Sequence, residues 1–106
     1  LSEVTFMTPR TNVAPVHPGE ILREEFLAPM GISINALAWA LRVTPSQVSG
    51  IVNEKRGISA VMALRLARYF GCSAELWLGL QQDYELDVAQ DEAGERIAIE
   101  VLPRAS

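Results

Sequence analysis

A chain of 106 residues has room for one domain with short tails. Its 49% apolar and 21% charged residues suit a folded globule and exclude a disordered polar chain. The net charge of −4, taken as an average, argues against nucleic acid. The single cysteine, Cys72, excludes an intrachain disulfide and fits a reducing cytoplasm.

Residues 1–16 carry little periodicity and read as a flexible amino-terminal arm. They lack the basic-then-apolar layout of a signal peptide, and the chain begins at Leu1 rather than methionine. His17-Pro-Gly-Glu opens the first helix. Pro18 suits the first helical position, where its missing N–H costs nothing, and Glu20 complements the helix dipole. Ile21, Leu22, Phe26 and Leu27 form the apolar stripe, and Pro29 with Gly31 is expected to close the helix.

Ser33 reads as the N-cap of a second helix ending near Leu41, with Leu37, Ala38 and Leu41 inward. Arg42-Val43-Thr44 makes a short turn. Thr44-Pro45-Ser46-Gln47 then has the form of a capping box with proline at the first helical position. The third helix turns Val48, Ile51 and Val52 inward and ends near Asn53, with Gly57 as a stop. Ser59 caps a fourth helix through Tyr69, with Val61, Leu64, Leu66 and Ala67 inward and Gly71 at its end. Ser73 opens a fifth helix with Leu76, Trp77, Leu80 and Tyr84 on one face, running to about Ala89. The acidic tail 91–106 alternates at Ile97–Val101 in a way that suits a strand. With no strand to pair with, a short helix is the expectation. The domain proper is placed at 17–90.

Two short helices joined by a three-residue turn are the layout of a helix-turn-helix, in which the second helix braces on the duplex and the third enters the major groove. Ala38 supplies a small residue at the crossing. Ser46, Gln47, Ser49 and Asn53 give a short polar outer face, and Gly50 leaves room for close approach. Gln47 and Asn53 can pair with adenine edges, and the serines with bases or phosphates. Lys55 and Arg56, just beyond the helix, are placed for phosphates, with Arg42 and Thr44 in the turn as further candidates. The plain alternative is a helical hairpin whose outer face is polar because it is wet.

Charge is unevenly distributed. Over residues 34–70, Arg42, Lys55, Arg56, Arg65 and Arg68 face only Glu54, whereas 71–106 hold eight acidic residues against Arg96 and Arg104. The basic part suits phosphate. The acidic part suits either a solvated face or a basic partner. His17 has a capping role rather than a metal one, Cys72 reads as a small buried side chain, and Trp39 has no obvious place. No histidine–carboxylate pair, glycine-rich phosphate loop or metal cluster is visible. An enzyme, a cofactor and a small-molecule substrate are therefore not expected, and no apolar run approaches the ~18 residues of a membrane span.

The segments His17–Leu27, Asn35–Ala38, Ala63–Gly71 and Trp77-Leu78 resemble the HigA (VapI-type) antitoxins, within the lambda-repressor-like, XRE-type helix-turn-helix family. The resemblance covers roughly residues 15–90. It implies an all-α, five-helix domain, a homodimer on a palindromic operator, and a repressor of its own operon. It also implies an antitoxin that neutralises HigB, a RelE-like mRNA endonuclease. Ser46, Gln47, Ser49, Gly50, Asn53, Lys55 and Arg56 carry over as the DNA-facing set. Two positions depart from the pattern. Arg42 stands where relatives often have glycine in the turn, and Ile34 stands where many have a glutamine that holds phosphate. A solitary regulator without a toxin, and a module that binds only protein, are the remaining alternatives.

Overall fold

The computed structural model describes residues 14–105. Most of the expected arm therefore lies outside the described residues, and 14–16 form no regular element. Five helices follow. Helix α1 is composite, with an α turn at Pro18–Ile21, a wider π turn at Leu22–Leu27 and a last α turn at Ala28–Met30. The others are α2 (Ile34–Leu41), α3 (Pro45–Val52), α4 (Ala60–Phe70) and α5 (Ala74–Glu100). The all-α, five-helix expectation holds, and no described helix is long and apolar enough to cross a membrane.

Local chemistry sets the helix starts. Ser33, Ser59 and Ser73 each accept a hydrogen bond from the backbone N–H three residues on. Each bond satisfies a donor that the first turn would otherwise leave unpaired. At α1 the cap is His17, whose Nδ1 accepts from the Gly19 N–H at 2.8 Å. Proline did not end α1. The π turn, in which the Ala28 N–H reaches the Arg23 carbonyl, sits just upstream of Pro29. A regular α turn would meet the proline ring there. The helix runs on to Met30 and stops at Gly31, which takes the left-handed conformation.

The core is one cluster drawn from all five helices, including Leu22, Leu27, Leu37, Ala38, Val48, Ile51, Leu66 and Trp77. Phe26 and Phe70 pack on Trp77, and the Trp77 indole N–H donates to the Cys72 sulfur at 3.2 Å. Cys72 is thus half-buried and engaged.

Three expectations fail. On α4 the packed face is Met62, Ala63 and Leu66, whereas Val61 and Leu64 are 60% and 62% exposed. Apolar residues occupy both faces of this helix, so periodicity alone permits either orientation. Helix α5 does not end near Ala89 but continues through Gly94 to Glu100 as one element of 27 residues. A lone glycine costs a helix interior only about 1 kcal/mol, too little to break it between good helix formers. Leu76 also lies on the open side of α5, 41% exposed.

Candidate nucleic-acid interface

Helix α3 buries Val48, Ile51 and Val52 and turns the opposite stripe outward. Ser46, Ser49, Gly50 and Asn53 recur there at i, i+3, i+4 and i+7, so they share one face. Ser46 and Asn53 are exposed, while Ser49 and Gly50 are half-buried. The Asn53 amide donates to the Ser49 hydroxyl at 3.0 Å, linking two of these residues.

The capping box forms as expected. The Thr44 hydroxyl accepts from the Gln47 N–H at 3.2 Å, and the Gln47 amide oxygen accepts from the Thr44 N–H at 3.0 Å. It also accepts from the Thr44 hydroxyl at 3.2 Å. Gln47, expected to read adenine, is thus held in the cap in this structure. A bidentate pair needs the amide oxygen, which is already spent, so the contact would require opening a cap worth about 1 kcal/mol.

Arg42 adopts the left-handed conformation, φ 60°, that glycine would take without strain. The cost, roughly 1 kcal/mol, is offset locally. Its guanidinium donates to the Trp39 carbonyl at 3.0 Å and lies 4.1 Å from the centroid of the Trp39 ring. Trp39, 72% exposed, thus serves as a surface platform for this turn residue. Ile34 packs against the core as a half-buried residue and offers no polar group to a phosphate.

Lys55 and Arg56 are exposed on the loop after α3. The chain reverses there at Glu54, φ 62°, rather than at Gly57. The Lys55 and Arg56 N–H groups both return to the Gly50 carbonyl, at 2.8 and 3.2 Å. Gly57 has a different task. A β-carbon on it would sit 2.8 Å from the Gln81 amide, which accepts from the Ile58 N–H at 2.8 Å. Gln81 of α5 therefore anchors the loop that presents both cations.

Comparison with known proteins agrees with this geometry. The helix-turn-helix family matches residues 22–77. Virulence-associated protein I of Dichelobacter nodosus is 53% identical over 83 residues, 78% of this chain and 77% of that protein. Antitoxin HigA-1 of Vibrio cholerae is 40% identical over 77 residues, 73% and 72% of the two chains. Pseudomonas aeruginosa antitoxin HigA, solved with the higBA promoter, superposes with a TM-score of 0.84 at 52% identity. That match covers 86% of this chain and 99% of the other. The chain belongs to the HigA family of helix-turn-helix antitoxins.

Three residues that hold this HigA-family site together have no local signature. Arg23 of α1 donates to the Val52 carbonyl, the last of α3, and pairs with Glu54 at 3.3 Å. Arg65 of α4 donates to the Leu41 carbonyl, the last of α2, at 2.8 Å. Both helices of the motif thus have a terminal carbonyl bound by an arginine from elsewhere in the fold, where a cation also suits the helix dipole. Gln81 is the third. Arg65, counted above among the cations suited to phosphate, is engaged in this structural bond. Amphipathic patterning reveals none of these bonds, since each joins separate helices.

Proposed function

We propose that this chain is a sequence-specific double-stranded DNA-binding repressor. It acts as the antitoxin of a toxin–antitoxin pair, silencing its own operon and neutralising a HigB-type, RelE-like mRNA endonuclease in the cytoplasm. One observation carries the DNA half: the outward stripe Ser46–Ser49–Gly50–Asn53, flanked by Lys55 and Arg56 on an anchored loop. A short polar face with cations at its end fits a helix lying in the major groove between two phosphate rows. The promoter in the Pseudomonas aeruginosa HigA structure is consistent with this reading.

The same reading makes the protein a homodimer on a palindromic operator, its two α3 helices entering successive major-groove turns ~34 Å apart. Two surfaces with exposed apolar side chains support it. Val61, Leu64 and Tyr69 line a groove with Arg42, Arg65 and Arg68. Leu86, Ile97 and Ile99 are exposed on the distal half of α5, among acidic residues. One surface is basic and the other acidic, so two copies can offer each other complementary charge. The acidic half of α5 also fits a basic toxin.

A titration against the duplex upstream of the chain's own gene tests repression. An mRNA-cleavage assay with the protein of the adjacent gene, with and without this chain, tests neutralisation. Binding to DNA without protection of mRNA would leave a solitary regulator. Protection without DNA binding would leave a protein-binding module.

A further inference from the structure

We infer that Arg56 reads a guanine in the major groove and that Gly50 is the seat that aims it there. The inference rests on α3 being the DNA-entering helix. Arg56 follows that helix, so by sequence position it belongs with Lys55 on the phosphates. The geometry assigns it differently. The reversal at Glu54 and the two N–H bonds to the Gly50 carbonyl bring the Arg56 backbone back beside the end of α3. From there the side chain lies across the helix. A β-carbon on residue 50 would sit 2.6 Å from Arg56 Cδ, 3.1 Å from Cγ and 3.8 Å from Nε. Gly50 is therefore filled space, occupied by the arginine stem, and not an opening left for the duplex.

Gly50 stands beside Ser46 on the outward side of α3, at one edge of the stripe it shares with Ser49 and Asn53. A side chain crossing it emerges on the face that meets base edges, not at the rim that meets phosphates. Two neighbouring side-chain amides are partly engaged. The Gln47 amide oxygen closes the capping box, and the Asn53 amide is turned to Ser49. Arg56 keeps its donors. Among the described residues no carboxylate pairs with it, because Glu54 is taken by Arg23. A planar guanidinium with paired donors matches guanine O6 and N7.

The test is selection of duplexes from a random library by the full chain and by two variants, Arg56→Ala and Gly50→Ala. The wild-type consensus should contain a guanine in each half-site that Arg56→Ala no longer selects. Replacing that guanine should weaken wild-type binding roughly 5- to 150-fold and leave the variant indifferent. Gly50→Ala should relax the same position, because its methyl group displaces the arginine stem. Alanine is also the better helix former, so the fold survives, and circular dichroism checks this. The double variant should relax it no further. An Arg56→Ala protein that selects the wild-type consensus, or that weakens on all sequences alike, overturns the assignment. A wild-type chain that enriches no sequence overturns the DNA-binding reading itself.

Discussion

The α-carbon of Gly19 in α1 lies against the backbone of Ile51 in α3. A β-carbon there would overlap the Ile51 carbonyl oxygen and stand 2.8 Å from its carbonyl carbon. This close crossing explains the glycine in His17-Pro-Gly-Glu and seats the end of α3 on the start of α1. Replacing Gly19 by Ala should therefore cost stability, although alanine ordinarily favours a helix. Forcing extra volume into a packed crossing costs about 1–3 kcal/mol. Thermal and denaturant unfolding will measure it. A variant as stable as the parent would show that the two backbones can separate freely.

His17 is buried, caps α1 through Nδ1 and meets the Tyr84 ring edge-on at 4.8 Å. Burial pushes its imidazole below the ordinary value of 6.5, against a smaller upward pull from Glu54. Below pH 6.5 the unfolded chain takes up a proton that the folded chain resists, so folding weakens as pH falls through that range. Above it both states are neutral and the term vanishes. His17→Asn keeps a capping side chain and removes the titration. Denaturant curves between pH 7.5 and 5 should fall less steeply for the variant. Parallel slopes would remove His17 from the account.

Arg23 joins α1 to the end of α3 through the Val52 carbonyl and Glu54. Its side chain is 39% exposed, so the ion pairs contribute little and the bond to the carbonyl carries most of the effect. Arg23→Ala should lower the denaturant midpoint, and should speed hydrogen exchange selectively at 53–56. Arg104→Ala, exposed beyond the end of α5, serves as the control and should change neither.

The elements legible in the sequence are those whose chemistry is local. Ser33, Thr44, Ser59 and Ser73 cap within three residues, and the Thr44–Gln47 box is closed within its own turn. The α2–α3 motif and its outward stripe follow from such signals. The Gln47 amide was legible twice, as cap and as base reader, and only the geometry shows that its oxygen serves the cap. The supports are different in kind. Arg23 to Val52, Arg65 to Leu41 and Gln81 to Ile58 cross 29, 24 and 23 residues. No periodicity reports such bonds. The packed face of α4 was hidden because Val61 and Leu64 are as apolar as Met62 and Leu66. The length of α5 was hidden because Ile97–Val101 alternates as a strand would, although it continues the same helix to Glu100.

The central claim is that α3 and its loop bind a particular DNA sequence. Its most direct test is an equilibrium titration of the chain against the duplex upstream of its own gene and a scrambled duplex, at several salt concentrations. Tighter binding to the natural duplex is expected, with affinity falling steeply as salt rises and counterions are no longer released at a gain. Lys55→Ala should lower the slope of that fall by about one. Equal affinity for the two duplexes, with no response to salt, would contradict the account.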